Sequence, residues 1–470
     1  MNHRQVDTWP WRFRVRDIMT VDPVFVDSGC LLADTASTMI DRHISSVLVD
    51  REGRTGGPGI ITERDVVRAV ANHGQAALRL ASGDLMSTPL VSVMADEPVW
   101  VALGRMTRLS LRHLAVTDSS GAVCGIMTSK LLVRHQAGEA LVINDALEAA
   151  SSAPDLAEVH ARLAPMAGAL LDEGMSASRI ASMISSFYRK LTARAARLAS
   201  AEEPEDGWAF FILGSAGRGE SLLAGDQDNA IVSTGEVDDA ILLRIASRAS
   251  DLLDAGGLPY CKGKVMASNS DWRRTMDDWQ KAIAGWATRA DGASLLNVDI
   301  FFDLVHVHGD RMLTDRLRSL ALETARTPVL PRMMAEQLQT WVSPRGFLGG
   351  LKTKDGRLDL KIGGLFPLVA GARAMALRHG IEATGTAMRL TALAELGTIA
   401  RADLLAFTDA HEVFLDLMLR QQVRDLGAGV AAGPGIDVTQ LSPRQKRNLR
   451  RCLGDVSRLP GLVLDVTARG

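Results

Sequence analysis

The stretch 211-FILGSAGRGESLLAGDQDNAIV-232 leaves an apolar run, breaks on three closely spaced glycines and ends with two aspartates one residue apart ahead of a second apolar run. The runs "AFFIL" (209–213) and "NAIVS" (229–233) have strand length and composition, so the segment predicts strand, tight turn, helical segment, second strand. Two glycine-rich phosphate cradles fail here. A dinucleotide fingerprint needs G-x-G-x-x-G, whereas Gly214, Gly217 and Gly219 run G-x-x-G-x-G. A P-loop needs Lys and then Ser or Thr after its last glycine, and Gly219 is followed by Glu220 and Ser221.

Asp226 and Asp228 open the second strand two residues apart, which puts both carboxylates on one face. Like charges this close repel unless a cation neutralises them, and an all-oxygen ligand set favours Mg2+ or Mn2+. The Gly214-Ser215 turn sets backbone N–H groups and one hydroxyl beside that cation, a pairing suited to phosphate oxygens. Further along, "NVDIFFDLVHVHGD" (297–310) reads as a strand with Asp299, Phe301 and Asp303 on one face. By the same parity His306 faces away from Asp303, which makes the two histidines of this run poor ligands. Trp272, Trp279 and Trp286 fall seven apart, nearly on one helical face, and are expected to pack on the sheet.

The chain of 470 residues is long enough for about three domains. Its 53 Lys+Arg nearly cancel its 55 Asp+Glu, and a net charge of −2 gives no reason to expect a nucleic-acid partner or an anionic membrane surface. The amino-terminal stretch lacks an apolar core, and later apolar runs are interrupted well short of a membrane span, so a cytoplasmic protein is expected. Cys30, Cys124, Cys261 and Cys452 lie far apart with no CxxC, and read as reduced structural thiols, Cys261 among them.

An internal repeat organises the first part of the chain. "RDIMTVDPVFVDSG" near 16 matches "GDLMSTPLVSVMAD" near 83, and "GIITERD" (59–65) matches "GIMTSKL" (125–131). Each copy orders an apolar helix, a short strand, a glycine turn, a second strand and another helix. The pattern resembles a tandem pair of cystathionine-β-synthase (CBS) domains. That resemblance implies adenine-nucleotide binding, with Thr62 approaching phosphate and Asp65 holding ribose hydroxyls, and a homodimer formed through the pair. The second copy keeps Thr128 but has Leu131 in place of the acid. Thr62 and Asp65 are equally suited to capping the helix that follows them.

Four segments follow: the CBS pair (1–140), a helical connector (141–200), a core (201–325) and a carboxy-terminal helical domain (326–470). Gly-Ser followed by a spaced aspartate pair resembles the polymerase β-like nucleotidyltransferase superfamily. With "GLPYCKGKVMASNSDWRRTMDDW", "IFFDLVHVHGD" and "GRLDLKIGGLFPLVAGARAMALRHGI", the chain resembles bacterial nucleotidyltransferases that carry CBS domains, relatives of PII uridylyltransferase and glutamine synthetase adenylyltransferase. The implied fold class is α/β and α multidomain, a mixed-sheet core between the CBS pair and a helical substrate-binding domain. The implied activity is Mg2+-dependent (or Mn2+-dependent) transfer of a nucleoside monophosphate from a nucleoside triphosphate to an acceptor, with a signalling protein as the candidate acceptor and the CBS pair as regulator. Asp226, Asp228 and Asp303 would be catalytic and hold metal, while Gly214, Ser215, Arg218 and Lys361 would bind nucleotide. Arg218 is equally suited to a structural pair with Glu220. Relatives carry D-F-R where this chain has Asp303, Leu304 and Val305. That departure keeps open a catalytically inactive nucleotide sensor or scaffold.

Overall fold

The computed structural model describes residues 13–42, 44–50, 57–136, 138–204, 206–289, 299–346 and 350–468. The chain forms two compact units, residues 1–142 and 143–470.

The first unit contains the repeat. In copy one, β2 (Phe25–Asp27) lies parallel to β3 (Ser46–Asp50), which pairs antiparallel with β4 (Gly59–Thr62). Copy two repeats this with β5 (Ser92–Met94), β6 (His113–Thr117) and β7 (Val123–Thr128). Each copy lends its lead-in to the other. The preceding strand β1 (Thr20–Val21) pairs with β7, and Ser87 bridges to Ile60 on β4. This crossing explains why the repeated motif starts with glycine. A β-carbon on Gly125 would meet the Met19 sulfur at 2.7 Å and the Thr20 carbonyl at 2.8 Å, and one on Gly59 would collide with Met86.

The second unit is built on a four-stranded mixed sheet in the order β10-β9-β8-β11: Arg273–Thr275, Asn229–Ser233, Trp208–Ile212 and Val305–Gly309. β8 is antiparallel to both neighbours, while β10 runs parallel to β9. Every residue of β8 and β9 is buried, as their uninterrupted apolar runs require of central strands covered on both faces. The three tryptophans pack together, but not on one helical face, because Trp272 ends a short turn before β10 while Trp279 and Trp286 lie on the helix Met276–Arg289. Trp272 and Trp286 flank Trp279 with ring centroids 6.1 and 6.3 Å away, and Trp279 Nε1 donates to the Ile231 carbonyl at 2.9 Å.

Two features bear on the site. Within residues 141–200 the Ala177–Ala199 helix buries Ile180, Ile184, Tyr188 and Leu191 in the same core as the sheet and the carboxy-terminal helices. Residues 299–301 are helical rather than extended, and strand β11 starts only at Val305. The Asp303 and Leu304 N–H groups close turns onto the Ile300 and Phe301 carbonyls at 3.2 Å. Asp299 and Asp303 are therefore one helical turn apart instead of alternating along a strand.

Candidate functional site

The Gly-rich stretch folds as a short helix, Gly214–Arg218, between β8 and a coil leading into β9. The Leu213 N–H donates to the Asp228 carbonyl at 2.9 Å, so the ladder between β8 and β9 continues to the turn and holds Asp228 beside it. Gly214 (φ +60°) has no room for a side chain, because a β-carbon would collide with the Asp228 carboxylate. A β-carbon on Gly217 would collide with the Asp303 carbonyl. These two glycines exist for close approach, each beside one of the aspartates expected at the site.

The Ala177–Ala199 helix supports the loop from beneath. Ser185 Oγ accepts from the Ser221 N–H at 2.7 Å, Arg189 donates to the Ala216 carbonyl at 3.1 Å, and the Tyr188 ring fills the space above Gly225. Ser215 Oγ and Ser221 Oγ share a hydrogen bond of 3.0 Å. Carboxy-terminal helices close from the other side. The Thr386 N–H donates to Glu220 at 2.6 Å, and the Ala224 N–H donates to Gln422 at 3.2 Å.

Asp226 and Asp228 are half-buried and converge as expected, but their third neighbour is Cys261. One donor atom from each of the three lies within 4.8 Å of the others. The loop carrying Cys261 is fastened on either side of it: the Gln227 N–H donates to the Pro259 carbonyl and the Asn229 N–H to the Val265 carbonyl, both at 3.0 Å. Gln227 Nε2 adds a bond to the Leu258 carbonyl at 2.9 Å. The Cys261 side chain is buried, and its sulfur lies within 4.8 Å of a carboxylate oxygen of both aspartates. Burial first, and then the charge of Asp226, push the Asp228 carboxyl up to about 7. Burial, with Asp228 alongside, pushes the Cys261 thiol up to about 12. Two carboxylates and a thiol fit a divalent cation by donor chemistry, since a bound cation removes the like-charge repulsion that raises Asp228.

Asp303 has partners of a different kind. It is fully buried and its oxygens are taken up by guanidinium groups: Arg218 Nη1 at 2.5 Å, Arg389 Nη2 at 3.1 Å, and both Nε and Nη2 of Arg373. Arg373 also pairs with Asp299. Burial alone would raise the Asp303 carboxyl; Arg373, Arg218 and Arg389 together hold it below its ordinary value. A carboxylate held this way is a poor proton acceptor, and the turn at 300–304 directs it toward Arg373 and Arg389 of the carboxy-terminal helices. Arg218 is correspondingly engaged, bonding Glu220 through Nε at 2.9 Å as well as Asp303. The structural alternative for Arg218 thus describes its contacts.

Asp303 is met by Arg373 and Arg389, 70 and 86 residues further along the chain. No spacing signals this. The apolar run "FPLVAGARAMALR" does carry a buried arginine, and that anomaly in a hydrophobic helix was the available clue. Lys361 is exposed at the start of an irregular helical turn, where its charge reaches Asp228. The Asp359 carboxylate accepts from the Ile362 N–H at 2.9 Å. His306 bonds Thr314 at 3.0 Å and His308 bonds Ser200 at 3.1 Å, away from the aspartate pair.

In the first unit, Thr62 and Asp65 form a capping box. The Thr62 N–H and hydroxyl both donate to Asp65 Oδ2, at 3.0 and 2.7 Å. In copy two Thr128 Oγ1 accepts from the Leu131 N–H at 3.1 Å, and the acid that would complete the box is missing. A cavity of about 300 Å3 lined by Ser176, Glu412, Asp416, Arg420, Gln445 and Asn448 contains none of the expected site residues. Its Glu412 carboxylate accepts from the Ala177 N–H at 2.7 Å. Among the described residues, no helix is long and apolar enough to cross a membrane.

Comparison with known proteins follows this division. Residues 161–293 match the family described as "Putative nucleotidyltransferase DUF294". Residues 328–464 match "Putative nucleotidyltransferase substrate binding domain". Residues 15–72 and 82–138 match the CBS domain. Uncharacterized protein MK0525 of Methanopyrus kandleri is 32% identical over 113 residues, 24% of this chain and 55% of that protein. An uncharacterized 17.7 kDa protein of Acidianus ambivalens is 30% identical over 122 residues, 26% of this chain and 71% of that protein. The chain thus spans about half the length of the first relative. Among solved structures, the CBS-domain containing protein ATU1752 of Agrobacterium tumefaciens is 28% identical, with a TM-score of 0.24, covering 26% of this chain and 92% of that one.

Proposed function

Because the chain belongs to the nucleotidyltransferases that carry a CBS pair, we propose that it transfers a nucleoside monophosphate from a nucleoside triphosphate to an acceptor hydroxyl, releasing pyrophosphate. The observation that carries this reading is the convergence of Asp226 and Asp228 against the Gly214-Ser215 turn. Asp226 and Asp228 would hold a divalent cation, Mg2+ or Mn2+, which supplies charge neutralisation at the phosphates. Ser215 sits on the first turn with a hydroxyl that both donates and accepts, suited to orienting a phosphate oxygen. Lys361 adds an exposed positive charge whose field acts on Asp228, suited to the triphosphate as a point charge. Asp303 and Glu220 act as positioning residues: they clamp Arg218 between them and so fix the loop that presents Ser215. The CBS pair would regulate transfer by binding an adenine nucleotide, and the acceptor would be a protein. These two assignments rest on the family alone.

One observation favours a second reading, a nucleotide sensor or scaffold without turnover: Asp303 is committed to three arginines. A single assay separates the two. The full chain is incubated with Mg2+ and each labelled triphosphate, with and without lysate proteins, alongside Asp226→Asn and Asp228→Asn. Label incorporation or pyrophosphate release that both substitutions abolish supports transfer. Equal signals from wild type and variants refute it.

A further inference from the structure

We infer that Cys261 is a cation ligand, so that Asp226, Asp228 and Cys261 form a mixed carboxylate and thiolate site that takes a thiophilic divalent ion of the Zn2+ or Cd2+ type in preference to Mg2+. The inference rests on the reading of Asp226 and Asp228 as cation ligands and specifies which cations that site discriminates. Two oxygens and one sulfur within 4.8 Å of one another can close on one ion, and three protein ligands would leave a tetrahedral ion a position for water or a phosphate oxygen. Mg2+ requires near-octahedral oxygen coordination and gains nothing from sulfur, whereas Zn2+ and Cd2+ bind thiolate strongly.

The thiol is fixed here by backbone, which separates it from a cysteine that merely fills space. Residues 227 and 229 receive the loop through their N–H groups, to Pro259 and Val265, while the alternate residues 226 and 228 carry the carboxylates facing Cys261. Asn229 Oδ1 also accepts from the Ala267 N–H at 2.9 Å, closing the loop onto the start of β9. Within the loop, the Lys264 N–H donates to the Cys261 carbonyl at 3.0 Å and Lys264 adopts φ +56°, so the turn that holds Cys261 is defined at the residue level. Binding replaces the thiol proton by the metal; the proton leaves to solvent and no redox partner is needed.

The test titrates full-length protein, freed of metal, with Cd2+ and separately with Mn2+. Cd2+ is read by the ultraviolet thiolate-to-metal charge-transfer absorption and Mn2+ by loss of its free-ion magnetic resonance signal. Wild type is expected to show the Cd2+ band at one ion per chain. Cys261→Ser should lose the band and at least about tenfold in Cd2+ affinity, roughly 1.4 kcal/mol, while its Mn2+ affinity changes by less than about threefold. Cys452→Ser, a buried cysteine elsewhere in the unit, should keep the band. Asp228→Asn should weaken both ions. A band that survives Cys261→Ser, or an unchanged Cd2+ affinity, overturns the proposal. So does a Cys261-dependent band that Asp228→Asn leaves intact, since the thiol then binds without the carboxylates. If Cys261→Ser is without effect on Cd2+ but Asp226→Asn and Asp228→Asn abolish Mn2+ binding, the thiolate ligand fails and the transferase reading stands. If the carboxylate variants bind both ions as wild type does, the transferase reading itself fails.

Discussion

Replacing Asp303 by asparagine removes one negative charge from the middle of three guanidiniums, two of them buried, and keeps the side-chain shape. Asp303 accepts from Arg218 at 2.5 Å, from Arg389 at 3.1 Å and from Arg373, whose other partner is Asp299. Arg373 and Arg389 are 1% and 2% exposed at the side chain, so water does not replace the lost partner. Arg389 already has one buried nitrogen, Nη1, without a hydrogen-bond partner, and has nothing in reserve. Removing one member of a buried ion pair costs about 3–5 kcal/mol because an uncompensated charge stays behind. In a unit of more than 300 residues this corresponds to a fall in Tm of roughly 4–8 °C. Differential scanning calorimetry on the full chain reads it, with the tryptophan cluster beside Phe301 as a fluorescence reporter of the same unit. The double variant Asp303→Asn/Arg389→Met should recover part of the loss, because it removes a stranded charge along with its partner. An Asp303→Asn protein that melts within about 1 °C of wild type while losing Mn2+ affinity would refute the reasoning. Asp303 would then be a metal ligand and the arginine contacts incidental.

Three further outcomes follow from the same geometry. Gly217→Ala should destabilise the second unit by about 1–3 kcal/mol, since its β-carbon meets the Asp303 backbone. Gly219→Ala, at φ +80° but in open space, should cost only about 1 kcal/mol; denaturant melts compare them, and equal losses would show that strain rather than contact governs the loop. Glu220 is buried, which alone would raise its carboxyl, but His411, Arg218 and the Thr386 N–H hold it below its ordinary 4.5. Its stabilisation is therefore full above that value and lost as pH falls below it. The stability gap between wild type and Glu220→Gln should be present near about pH 7 and close toward about pH 3, and a gap that widens on acidification contradicts the assignment. Asp65→Ala breaks the capping box at Thr62 and should cost the first unit about 1 kcal/mol in thermal unfolding without any nucleotide present. No change would mean that the box contributes nothing to the fold.

The residues of 211–232 determined a good deal by themselves. The order of the glycines excluded two phosphate cradles, and the two-residue spacing of Asp226 and Asp228 put both carboxylates on one side of a chain entering a strand. Both conclusions depend only on local backbone geometry, which a sequence encodes directly. The repeat was legible for a similar reason, because Gly59 and Gly125 mark equivalent crossings where a side chain cannot fit. What reaches the site from a distance was decided by tertiary structure alone. Cys261 arrives through backbone bonds from residues 227 and 229, which any side chain could make, so nothing in its spacing announces it. Asp303 was set on a strand face by parity and given its role by resemblance, and a helical turn at 299–304 directs it toward arginines of the carboxy-terminal helices. A buried carboxylate must find positive charge, but which arginines supply it depends on how helices pack, and packing is a property of the folded chain and not of any window of its sequence.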